Sequence, residues 1–244
     1  MSSLEAKKIT PATGTTGTLG AAGDTVTVPA GGIVKTNTVK DAGGNTLFTS
    51  DGSGTLSSVN SAFKGGLIYI SSATPSGASS VEFTSGIDST YNEYVFVFYG
   101  INPGTSGGNF QFQGSIDGGS NYNTTITSTW FRADHKQNDT AAGVQYETGS
   151  DLAQSTAYQI LMGGLDVVSS DGRNGSGILH LFNPSSTTYV KQFYATCNYW
   201  DDVNRSCNSW IAGYMNTTSA VNAISFKFSS SYTTTGTIAM YGTG

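Results

Sequence analysis

The sequence predicts an all-β protein, and three observations carry that prediction. Charged residues make up only 11% of the 244 positions, so the Glu, Lys and Arg that build helix surfaces are scarce. Thirteen Tyr and twelve Phe stand beside many Val and Thr, which suit pleated strands, and 32 Gly punctuate the chain with turns. Apolar residues recur with period 2: Phe110 and Phe112 against Gln111 and Gln113, then Ile224, Phe226 and Phe228 against Ser225 and Lys227. Period 2 with one polar face marks half-buried antiparallel strands.

From Phe63 onward, strands are expected at Leu67–Ser71, Ser80–Phe83, Glu93–Ile101, Asn109–Ile116, Thr124–Arg132 and Val144–Glu147. They continue at Tyr158–Met162, Gly177–Phe182, Tyr189–Tyr199, Ser209–Met215, Ala223–Phe228 and Thr237–Tyr241. About a dozen short strands separated by Gly, Pro or Asn describe an antiparallel β-sandwich, jelly-roll-like in type. Tyr94–Tyr99 is apolar on both faces, so it belongs to a central strand or to one covered by a partner subunit.

Residues 1–62 differ from the head domain, 63–244. They hold one Phe and neither Tyr nor Trp. Short alternations occur at Thr25–Val28, Ile33–Val34, Thr38–Val39 and Thr46–Thr49, around a Gly43-Gly44 turn. One copy buries too little to offset its ordering entropy. The segment is therefore a disordered arm, or an extended Gly/Thr-rich arm ordered by wrapping with neighbouring copies into a stalk; the second is favoured, with the first ten residues as a docking tip.

Several functions are disfavoured by composition. A net charge of −5 with no Lys/Arg cluster argues against nucleic-acid binding. No window is apolar enough for a membrane span, and the N-terminus lacks the apolar stretch of a signal peptide, so synthesis in a cytoplasm is expected. Cys197 and Cys207 could face each other across a hairpin, but free buried thiols are preferred.

Little chemistry is visible. His135 and His180 are the two histidines; His180 sits within a strand and is assigned to its polar face, and no G-x-S-x-G elbow accompanies either. Asp201 and Asp202 beside Trp200 are the attractive carboxylate pair, but a polar hairpin end explains them. Asp117–Asn123 is read as a hairpin turn rather than a calcium loop. No metal and no cofactor are expected. Polar-tipped aromatics are the remaining lead: Trp130 and Trp210 are assigned to the core, whereas Tyr199 and Trp200 are divided between core and binding. The longer connections Pro103–Gly108, Ala133–Gly143 and Val168–Ser176 suit binding residues. The candidates are His135 and Lys136 in one loop, and Tyr199, Trp200, Asp201, Asp202 and Arg205 in the segment joining the cysteine-bearing strands.

The runs Leu179–Lys191, Ile211–Thr218 and Gly236–Gly242 resemble the C-terminal β-domain of tailed-phage virion proteins, of cyanophage or marine and freshwater phage type. Phe83–Tyr94, Tyr122–Thr129 and Asn45–Phe48 are similar to the same proteins, so the likeness spans residues 40–244. It implies a non-enzymatic, fibre-like virion protein. The partners would be two further copies in a homotrimer, other virion proteins of tail or capsid, and a host-surface glycan or protein. Leu4, Ile9, Val26, Val28 and Ile33 would dock on the particle. A capsid head fibre or decoration protein is the alternative, and a glycan depolymerase is a third.

Overall fold

The computed structural model describes residues 35–53, 56–59, 66–166, 172–229 and 234–243, with Ala30 and Ile33. The chain divides into two compact units, Met1–Phe63 and Lys64–Gly244. Among the described residues all regular structure is β, and all strand pairs are antiparallel.

The first unit contains β1 (Thr38–Lys40), β2 (Thr46–Ser50) and β3 (Leu56–Val59), in the order β1-β2-β3. Asp41 fixes the first turn by accepting the Asn45 backbone N–H at 2.8 Å. Gly44 supplies the left-handed step, with φ of 83°. None of this unit's described residues is buried; Val39, Leu47 and Phe48 are half-covered at best.

The second unit is a sandwich. It contains β4 (Ile68–Ala73), β5 (Ser76–Ala78), β6 (Val81–Phe83), β7 (Glu93–Pro103), β8 (Gly108–Ser115), β9 (Ile126–Lys136) and β10 (Ala142–Tyr146). There follow β11 (Gln159–Leu165), β12 (Gly175–Phe182), β13 (Lys191–Trp200), β14 (Arg205–Met215), β15 (Ala223–Phe228) and β16 (Thr234–Thr243). A nine-stranded sheet runs β10-β9-β14-β13-β12-β7-β16-β4, with β5 also on β16. It faces a four-stranded sheet, β11-β8-β15-β6. Pairing is nested: β4 with β16, β6 with β15, β7 with β12 and β8 with β11, alternating between sheets. β7 lies between β12 and β16, the central position expected of its apolar sequence, and on its outer face Val95 is buried while Tyr99 is exposed.

Phenylalanines fill the core between the sheets. Phe96 and Phe98 of β7 meet Phe110, Phe226 and Phe83 of the smaller sheet. Phe226 touches five rings at centroid distances of 5.3–6.3 Å. Phe112 packs edge-on against Phe193 at 5.1 Å and ties β8 to β13. Each fully buried Phe contributes about 1.5–3 kcal/mol.

The buried Lys191 is satisfied locally. Lys191 donates from Nζ to the carbonyls of Ser186 and Tyr189 at 2.6 Å, and burial holds its pKa below the usual lysine range. This pins the 183–190 connection. Cys197 and Cys207 are free and buried. The hairpin register places Cys197 opposite Ser209 and Cys207 opposite Tyr199, so the thiols share a face but are not cross-strand partners. Asp117 caps a tight turn, accepting the Ser115 hydroxyl at 2.6 Å and the Asn121 N–H at 2.9 Å. That turn is not a hairpin: it carries the chain from β8 in one sheet to β9 in the other. His180 does point to the outer face, where its ring stacks on Tyr194 at 4.4 Å and meets Glu93.

Candidate functional site

Two of the expected loops meet at one end of the sandwich. The register pairs Lys136 with Arg205 and His135 with Ser206, so the β9–β10 and β13–β14 tips lie side by side. The Gln137 N–H donates to the Asn204 carbonyl at 3.0 Å and joins them. Lys136, Gln137, Asn138, Val203 and Asn204 line a depression of about 210 Å³. Asp139 and Asn204 hold φ of 59° and 63°, the left-handed conformation that Asp and Asn tolerate best in tight turns.

His135 and Lys136 are strand residues, because β9 runs four positions further than its apolar pattern. Arg132 and Asp134 continue the strand because partners await them. Arg132 pairs with Asp134 at 3.4 Å and Glu147 at 3.1 Å; Asp134 also meets Arg205 at 3.5 Å. The side chains of this ionic chain are mostly covered, Arg132 13% and Asp134 7% exposed. The loop expected at Ala133–Gly143 thus contracts to residues 137–141.

The β13–β14 turn separates its candidates by direction. Tyr199 was a binding candidate, but it faces inward and is 2% exposed. Alternation explains this: Trp200 points outward, so Tyr199 cannot. Burial pushes the Tyr199 phenol above its usual range. Asp201 is also 2% exposed and belongs to the turn. Its Oδ1 accepts the Arg205 N–H at 2.8 Å and the Val203 N–H at 3.1 Å, and its Oδ2 takes Arg205 Nε at 2.8 Å. Burial opposes the Arg205 charge, but Asp201 and then Asp134 outweigh it and raise its pKa. Asp202 is exposed beside Gly107 and Gly164. The two carboxylates are therefore not a facing pair.

Trp200 is half-buried on the outer face, with the Arg173 guanidinium 4.8 Å above its ring. Arg173 is in turn ion-paired with Asp166, which accepts the Ser106 hydroxyl at 2.6 Å. A second depression, of about 170 Å³, opens here between residues 172–174 and the β13–β14 hairpin. Trp130 is core, and its indole donates to the Ile160 carbonyl at 3.1 Å. Trp210 is not: it lies half-covered on the outer face, stacked on Phe131 at 5.3 Å. Its neighbours Ser209 and Ile211 take the inward positions, so the pleat turns Trp210 outward. Among the described residues no group of three or more His, Cys, Asp or Glu is placed to hold a metal. Of the docking candidates, Ile33 is exposed, while Leu4, Ile9, Val26 and Val28 lie outside the described residues. No protein-family model, curated protein or solved structure matches the chain.

Proposed function

We propose that this is a non-enzymatic virion protein of a tailed phage: fibre-like, homotrimeric, attached through its N-terminal residues and contacting the host surface with the head. The observation that carries the recognition role is the convergence of the β9–β10 and β13–β14 tips on one depression at one end of a rigid sandwich. The nested strand pairing is read as jelly-roll order, a frame suited to presenting loops at its ends. The trimer is supported by the first unit, whose small sheet leaves Phe48 and Leu47 only half-covered and gains from neighbouring copies. Three copies raise a weak contact to useful avidity.

The test is adhesion of the full chain to host cells. Trp200→Ala, and separately a shortened 137–141 turn, should each reduce cell binding by about tenfold while secondary structure is unchanged. Undiminished adhesion in both would sink the tip as the contact surface.

A further inference from the structure

The outer face of the nine-stranded sheet carries a trough beside the tips. Its floor is a cross-strand row, Ala133–Asn208–Asn198–Ser176, set by the registers of β9, β14, β13 and β12. These side chains are short. One wall, two residues along the strands, holds Trp200 and Ser206. The opposite wall holds Trp210 stacked on Phe131, continued by Tyr146 on β10. Rows four residues apart are about 13 Å apart, and four strands make a floor about 14 Å long. The 170 Å³ depression lined by Trp200, Asn198 and Ser206 lies at one end of it.

The chemistry of this trough is specific. The floor bears no charge. Neither the Asn198 nor the Asn208 side-chain amide has a hydrogen-bond partner among the described residues, although Asn208 is half-buried and Ser176 beside them is engaged by the Gly100 N–H. Free amides between aromatic walls do not suit an apolar protein surface, because covering them unpaired costs about 1–3 kcal/mol each. They do suit a ligand with hydroxyls along its edges and flat C–H faces.

We infer that the trough binds a neutral oligosaccharide. Asn198 and Asn208 donate to and accept from its hydroxyls, and Trp200 and Trp210 contact the sugar faces. The inference deepens the recognition role proposed above and rests on it, but it moves the ligand from the hairpin tips to the sheet face. Arg173, already paired with Asp166 and laid over Trp200, closes one end rather than offering a free cation.

The experiment titrates the full chain with short neutral oligomers of glucose, galactose, mannose and N-acetylglucosamine, followed by tryptophan fluorescence and calorimetry. One class should bind saturably. Asn198→Ala and Asn208→Ala should each weaken it about tenfold, the weight of one or two hydrogen bonds, with melting unchanged. Gln192→Ala, exposed on the same sheet face two rows beyond Thr196, should leave affinity as it is. Cell adhesion without any oligosaccharide response overturns the trough and leaves the recognition role standing. Oligosaccharide binding lost only on changing residues 137–141 likewise overturns it. Absence of both adhesion and oligosaccharide binding overturns both.

Discussion

Asp201 and Asp202 are neighbours with identical chemistry and opposite environments, so replacing each by Ala separates a structural carboxylate from a solvated one. Asp201→Ala removes the one oxygen that accepts two of the turn's backbone N–H groups, and the 2.8 Å partner of Arg205 Nε. Arg205 is left with Asp134 at 3.5 Å. Backbone bonds to an ionised acceptor contribute about 1–2 kcal/mol each, and stranding a partly buried guanidinium adds to that. Allowing for relaxation, the loss is about 3–4 kcal/mol. Asp202 accepts no hydrogen bond among the described residues, so Asp202→Ala should stay within about 0.5 kcal/mol. Urea unfolding followed by circular dichroism reads the difference as a midpoint shift at constant slope. In a thermal scan the Asp201 variant should melt about 10 °C lower. Equal effects from the two substitutions, or less than about 1 kcal/mol for Asp201→Ala, would refute the assignment of Asp201 to the turn.

Phe226→Ala should cost about 3–5 kcal/mol, since that ring is fully buried among five others; a loss below about 1.5 kcal/mol in urea unfolding would mean the sheets do not meet there. Cys197 and Cys207, whose thiols burial pushes up to about 12, should resist a thiol reagent at pH 8 in the native protein and both react in denaturant; one disulfide and no titratable thiol would contradict the register. Asp117 is held at about 2, mainly by the Ser115 hydroxyl and Asn121, against an ordinary 3.8. A carboxylate depressed in the fold stabilises above its unfolded pKa and loses that contribution as pH falls through the folded one. The stability difference between the native chain and Asp117→Asn should therefore be constant above about pH 4 and shrink toward pH 2, measured by urea midpoints across that window; a flat difference would contradict the cap.

Much of the fold is written in period 2. The alternating Phe of β7, β8 and β15 announces strands because the pleat sends every second side chain to the same face. β5 and β3 are not visible: Ser76-Gly77-Ala78 and Leu56–Val59 carry almost no pattern and are strands through their neighbours' hydrogen bonds. At the site, the sequence identifies the two loops but not their meeting, because Gln137 and Asn204 are joined only by the long-range pairing of β9 with β14. Tyr199 and Trp210 show the same limit within a strand. An aromatic next to an inward small residue, such as Trp210 beside Ser209, reads as core unless the pleat is counted from a fixed point like Cys207 or Ile211. The Asn198–Asn208 row is invisible in sequence, since ten positions separate its members and only register opposes them.

The virion role itself is tested most directly by immunogold electron microscopy of intact phage particles, using an antibody against residues 64–244. Gold at the distal tail is expected of a host-contacting fibre. Gold confined to the capsid would contradict host contact by a tail fibre and make this a shell protein; particles free of gold, with the antigen left soluble in the lysate, would contradict a virion protein altogether.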